Sequence, residues 1–282
     1  LLGRKDSAVK KKPTLREFDI PGALLLMAAI APLLISVQFI SDSSLVWPWL
    51  LLIISIVLLF IFVIFEARLD YATLPVRMFK QSRFAATASC NVAVELSYGM
   101  VIYLMPIFFI QALGWSAAFA GSVIFMAAIA RPPASVATGF LADRFGGFQV
   151  AFYGALTMVI SLVGLALLSP RGQVLWVITF LMLFGVAHSL LRTGLLKQMF
   201  VSVEQDQLGL APGVLGLGRH VGGAIGVAIG AALYVSTAGE HSSVGGVGAA
   251  EGFRFALFTG AVVLSGTFIV GLIAFRRQGI KT

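Results

Sequence analysis

The sequence predicts an all-α integral membrane protein with eight transmembrane helices, and three observations predict it. Of 282 residues, 59% are hydrophobic and only 11% charged, where a soluble domain is about a quarter charged. The apolar residues cluster in blocks long enough to cross a bilayer. They do not alternate with polar residues as the strands of a membrane β-barrel do. Finally, Lys and Arg gather between the blocks rather than inside them. The same numbers exclude a disordered chain, a nucleic-acid-binding module and an ordinary cytosolic enzyme. The net charge of +8 and mean hydropathy of +0.98 fit this picture, because basic loops flanking apolar spans set topology.

A helix rises 1.5 Å per residue, so about 20 apolar residues cross a hydrocarbon core about 30 Å thick. Eight segments meet that length: Ile20–Ile40, Val46–Phe65, Ala85–Gln111, Ala117–Leu141, Phe148–Leu168, Val174–Leu196, Pro212–Thr237 and Phe253–Phe275. Residues 1–17 form a basic loop with Arg4, Lys5, Lys10, Lys11, Lys12 and Arg16. The loop sets topology and attracts anionic lipid, or it offers a partner site. Arg68, Arg77, Lys80 and Arg83 follow the second span, Arg144 and Lys197 lie in the next two loops on that side, and Arg276, Arg277 and Lys281 end the chain. The opposite loops, around Asp42, Leu113, Arg171 and Glu240, hold only Arg171. Basic loops stay inside, so both termini are expected to be cytoplasmic. The chain opens on Leu1 rather than Met, with no signal peptide, and reads as a piece of a longer protein.

The first two spans (residues 18–66) form a hairpin with no ionisable residue in their interiors. Residues 67–84 make a cytoplasmic connector containing Pro75, and a structural boundary is expected there. The six spans of residues 85–275 differ in kind. They carry Asn91, Glu95, Arg131, His188, Arg219 and many glycines, and polar groups inside a membrane mark where work is done. A short cytoplasmic tail, 276–282, follows. Cys90 has no partner for a disulfide and reads as a small packing residue.

Glu95 falls about 15 Å into its span, where a charge costs at least about 2.5 kcal/mol unless it is paired, protonated or hydrated. Asn91, Glu95 and Tyr98 share one helical face. Arg131 reaches the same depth on the next antiparallel span, so a contact with Glu95 is expected, directly or through water. That contact makes Glu95 a protonation or cation site, or it simply fixes helix packing. Pro132 and Pro133 follow Arg131 and predict a kinked or broken span, either static or lining a path. His188 and Arg192 share a face at i, i+4. His188 is a hydrogen-bonded packing residue or a proton relay member, while Arg192 can snorkel to headgroups. With no second intramembrane histidine, no metal site is expected. Gly218, Gly222, Gly226 and Gly230 make a smooth stripe for close helix contact or for sliding. Trp47, Trp49, Trp115 and Trp176 fall near the outer interface as anchors.

Four stretches carry a resemblance. They are Gly139-Phe140-Leu141-Ala142-Asp143-Arg144-Phe145-Gly146, Gln111-Ala112-Leu113-Gly114-Trp115-Ser116 with Ala120-Gly121, Arg219-His220-Val221-Gly222-Gly223-Ala224-Ile225-Gly226-Val227-Ala228, and Phe18-Asp19-Ile20-Pro21-Gly22-Ala23. The chain resembles the C-terminal part of a major facilitator superfamily transporter of the fourteen-helix drug:proton antiporter type. The match spans two linker helices plus the second six-helix half; the first six helices are missing. The resemblance implies proton-coupled export of lipophilic or cationic drugs across the cell membrane, with no cofactor. It also implies a gating role for the loop at Gly139, Asp143, Arg144 and Gly146, in which Gly139 and Gly146 flank a tight turn and Asp143 meets the next helix's positive end. The implied partners are the lipid bilayer, a small-molecule substrate, protons and the missing half; no nucleic acid is expected. The alternatives are a transporter for another small solute, a half-size partner that transports nothing, and a membrane enzyme. The last finds no support, since H-E-x-x-H, G-x-S-x-G, Asp-rich and P-loop motifs are all lacking.

Overall fold

The computed structural model describes residues 20–39, 46–66, 76–167, 174–203, 208–209, 211–238 and 247–277. The basic N-terminal stretch, Pro75 and the loops at Asp42, Arg171 and Glu240 lie outside the described residues. Every described element is helical: α1 Ile20–Phe39, α2 Trp47–Glu66, a 3-10 turn Val76–Lys80, α3 Ser82–Ile107, a π-helical turn Phe108–Ala112, α4 Ala117–Phe145, α5 Gly147–Ala166, α6 Val174–Val201, α7 Ala211–Ala238 and α8 Val247–Arg277. Six of these, α3 to α8, are long and apolar enough to cross a membrane. The helices α1 and α2 have 20 residues each, about 30 Å at helical rise. Their described apolar stretches are shorter, Leu24–Leu33 and Trp47–Phe62.

Inside a bilayer, hydrocarbon is as apolar as leucine, so helices associate through close packing and interhelical hydrogen bonds. Both are visible here. The first two helices pair as a hairpin, in which Ser55 Oγ donates to the Ala29 carbonyl at 2.6 Å, and Phe39 packs on Trp47 at 5.0 Å. The hairpin leans on the rest of the protein through α1 and α7. α3 is the most buried span and packs on α7, α8 and α6. Ser97 Oγ donates to the Gly260 carbonyl of α8 at 3.1 Å, and Phe108 stacks on Phe253 at 4.0 Å. Cys90 is buried with its thiol 3.8 Å from the Thr267 carbonyl. α5 and α6 meet where Gly147 faces Gly194: a Cβ at Gly147 would lie 2.6 Å from the Gly194 carbonyl oxygen. α4 is the most exposed of the six; Phe125, Ile129, Val136 and Phe140 all lie on its open side.

Three local expectations need correction. α3 begins at Ser82, not Ala85, and its far end is a π turn. Pro106 has no N–H to donate, and the ladder beyond it widens, with Leu113 N–H donating to the Phe108 carbonyl at 3.2 Å. Trp115 at that end packs between Phe109 (4.8 Å) and Phe119 (4.9 Å), so it consolidates the turn as well as sitting near the helix end. Second, α4 runs unbroken through Pro132 and Pro133. The two missing N–H groups free only the Ala128 and Ile129 carbonyls; separately, Ser189 Oγ of α6 donates to the Arg131 carbonyl at 3.2 Å.

The third correction concerns the Gly139–Gly146 stretch. Gly139 and Asp143 are inside α4, and the whole turn between α4 and α5 is Gly146. Its φ of 89° and ψ of 150° lie in a region open essentially to glycine alone. Gly146→Ala is therefore expected to cost about 1–3 kcal/mol, read as a lower unfolding temperature in detergent. Gly139→Ala, where a Cβ meets open space, is the unaffected control. Asp143 does not cap α5. It pairs with Lys197 Nζ of α6 at 2.6 Å, and the same ammonium donates to the Ala142 carbonyl at 2.8 Å. Arg144 lies over its neighbour Phe145, 5.4 Å from the ring centre.

Candidate functional site

Glu95, Arg131 and His188 each sit at the midpoint of their helices, α3, α4 and α6. Equal depth follows from span lengths that the apolar blocks set. Which side chains then meet depends on helix rotation, and the packing resolves it. Glu95 Oε2 faces His188 Nε2 at 3.5 Å, and both side chains are almost fully buried. The other ring nitrogen, Nδ1, lies 3.3 Å from Arg131 Nη2. Arg131 Nη1 donates to the Tyr98 hydroxyl at 2.8 Å, and its guanidinium stands 5.3 Å from the centre of the Tyr98 ring. That ring also packs on His188, 4.3 Å between centres, and lies parallel to Phe184 at 5.7 Å.

The expected Glu95–Arg131 contact is thus replaced by a chain in which His188 stands between the two. Equal depth permitted a contact, but α4 packs chiefly on α6 and hardly touches α3, so a residue of α6 fills the gap. His188 has two ring nitrogens that can each take or give a proton, which lets one residue bridge a carboxylate and a guanidinium. Asn91, one turn from Glu95, turns to α7 and donates from Nδ2 to the Leu215 carbonyl at 3.0 Å.

Two cavities open beside the chain. One, of about 560 Å³, lies between α4 and α6 and is lined by Arg131, Pro132, Ser135, His188, Arg192 and Thr193 among others. The second, of about 180 Å³, lies between α3, α6 and α7 and includes Asn91, Glu95, Arg192, Leu215 and Arg219. Arg192 borders both. Arg219, whose place near the start of α7 suggests contact with headgroups or with the Gly139–Gly146 stretch, lies instead on the Glu95 chamber. Helix packing brings it there: Gly218 faces Asn91 and Gly222 faces Glu95, which carries the intervening Arg219 beside them. Among the described residues no cluster of His, Cys, Asp and Glu is suited to a metal ion.

The loop residues Gly139, Asp143, Arg144 and Gly146 lie at one end of α4, away from this cluster. The stripe of Gly218, Gly222, Gly226 and Gly230 faces α3: an added Cβ would meet Asn91 at Gly218, the Val92 carbonyl at Gly222, the Leu96 carbonyl at Gly226 and Leu104 at Gly230. Chemically, the cluster holds one acid, one imidazole and one guanidinium within a few ångströms, next to open space. Glu95 and His188 can change protonation state, whereas Arg131 cannot.

The family model described as Major Facilitator Superfamily matches residues 21–227 and 87–281. Similar curated proteins are the probable transport protein HsrA of Haemophilus influenzae, 23% identical over 76% of this chain and 46% of its own length, and the vacuolar basic amino acid transporter 2 of Saccharomyces cerevisiae, 26% identical over 82% and 50%. The efflux pump FUS6 of Gibberella fujikuroi is 23% identical over 79% and 41%. The chain spans about half the length of the curated relatives it matches, and these relatives are transporters rather than enzymes. A multi-pass helical protein with a buried charge chain beside an open cavity, matched by the family model along nearly all its length, belongs to the major facilitator superfamily of membrane transporters.

Proposed function

We propose that this chain is the two-linker and second-half portion of a fourteen-helix, proton-coupled exporter of lipophilic or cationic drugs, working with a first six-helix half. In this reading residues 18–66 are the linker hairpin and 85–275 the transporter half. Residues 1–17, 67–84 and 276–282 are cytoplasmic, and the protein lies in the cell membrane. One observation supports the coupling: a carboxylate and an imidazole, Glu95 and His188, face each other at 3.5 Å at mid-helix, each lining a cavity. A proton gained by Glu95 cancels its charge and loosens its hold on His188. A proton lost restores the attraction. That difference is what a gradient needs in order to bias two conformations. The Asp143–Lys197 pair ties the end of α4 to α6, so the two would move together as access alternates. The efflux pump among the relatives supports export.

The test is drug efflux by the protein expressed from its complete coding sequence. Glu95→Gln is expected to cut proton-driven export and to flatten its dependence on pH, because glutamine keeps the shape of the side chain but cannot take up or release a proton. Full proton dependence in a folded Glu95→Gln protein would remove Glu95 from coupling. Transport of another solute is the second reading, favoured by the variety of relatives, which include a riboflavin transporter of Clostridioides difficile.

A further inference from the structure

The two cavities carry an excess of positive charge. Arg131 and Arg192 border the larger, and Arg192 and Arg219 border the smaller. Against these three guanidinium groups stands one carboxylate, Glu95, which already faces His188. Arg131 spends its contacts on Tyr98 and His188, neither of them an acid. Arg192 and Arg219 have no hydrogen-bond or ion-pair partner among the described residues, where Asp143 is taken by Lys197. Arg192 is exposed and Arg219 half-buried, so both can meet a ligand, and a guanidinium's planar fork of donors fits a carboxylate, sulfonate or phosphate.

We infer that the cavity between α4 and α6 recognises an anionic group, so that the solute carried is a lipophilic organic acid. This rests on the transporter reading and narrows it. Arg192, shared by both cavities, is the principal anion contact, with Arg131 at the inner wall and the hydroxyls of Ser135 and Thr193 alongside. Ala128, Pro132 and Leu196 supply an apolar wall for the rest of the molecule. The volume, about 560 Å³, is within the range of small-molecule sites, about 300–1,000 Å³. An organic cation would meet two arginines and no free acid in this cavity.

The test is equilibrium binding, without any gradient, to the protein expressed from its complete coding sequence in phosphatidylcholine nanodiscs. The probes are 2-naphthoate, its neutral amide, and a naphthyl-trimethylammonium cation. Naphthoate is expected to bind at least about tenfold more tightly than the amide, the worth of one charge-assisted hydrogen bond, and the cation more weakly than either. Arg192→Gln removes the preference for the acid, and Lys80→Gln, exposed in the 3-10 turn Val76–Lys80, leaves it. Arg192→Lys keeps the charge, so it serves if the glutamine variant does not fold: it is expected to weaken naphthoate binding severalfold while leaving the amide unchanged. Equal affinity for acid and amide, tighter binding of the cation, or an acid preference that survives in Arg192→Gln would overturn the proposal. So would displacement of naphthoate by added phosphatidylglycerol, which would make a lipid headgroup the occupant. Glu95→Gln reports separately: if proton dependence persists in that variant while Arg192 still governs naphthoate binding, the coupling reading fails and the anion site stands.

Discussion

Gly226→Val is expected to prevent α7 from seating on α3 and to leave no monodisperse, folded protein after extraction in detergent. An added Cβ at this position would run into the Leu96 carbonyl oxygen and its backbone neighbours. Backbone cannot swing aside as a flexible side-chain tip can, so α3 and α7 would have to separate along an interface central to the six-helix unit. Overpacking a well-fitted site costs about 1–3 kcal/mol, occasionally more, and two rigid backbones place this case at the upper end. The stripe supplies its own control. At Gly230 a Cβ would stand 3.5 Å from Leu104 Cδ1 and the Met100 Cα, an ordinary contact distance. Gly230→Ala is expected to fold normally, with a stability change below about 1 kcal/mol. Equal thermal stability of Gly226→Val and Gly230→Ala, measured by unfolding in the same detergent, would show that α3 and α7 are not held as one body.

The second large effect is expected at Arg131. Arg131→Lys should fold yet lose transport by about two orders of magnitude. Arginine reaches the Tyr98 hydroxyl with one terminal nitrogen and His188 with the other, and lysine has a single nitrogen with which to do both. Each hydrogen bond to a charged group is worth about 1.5–3 kcal/mol, so forfeiting one of them in the working cycle gives a loss of that order. Arg131→Ala should be worse, because the Tyr98 ring loses the cation beside it and His188 loses the group at Nδ1. Transport by the complete protein, with surface expression measured in parallel, checks both variants. Lysine performing as well as arginine would reduce Arg131 to a point charge.

How much of this was legible beforehand follows from what each feature depends on. The number and order of helices depend on runs of apolar residues, and those are written along the chain, so all eight helices appear where the blocks fall. Depth is legible for the same reason: counting residues from the span ends puts Glu95 and Arg131 at one level. Loop geometry was less legible. Gly139-Phe140-Leu141-Ala142-Asp143-Arg144-Phe145-Gly146 reads as a loop because it is charged and glycine-flanked. Helical hydrogen bonds nevertheless continue to Phe145, since nothing before Gly146 requires a non-helical conformation. The double proline misleads in the same direction, as two absent donors leave the remaining ladder intact.

The sequence by itself determined that this is a membrane protein of helices, the family it resembles, and which residues carry charge into the spans. Those properties are sums along the chain or periodicities within one helix, and they need no partner. Tertiary structure alone decided that His188 stands between Glu95 and Arg131, and that Asp143 pairs with Lys197. It also decided that Arg219 joins Arg192 at the wall of the Glu95 chamber. Each of these depends on the rotation of one helix against another, which close packing at Gly222, Gly226 and Gly194 sets and no single segment encodes.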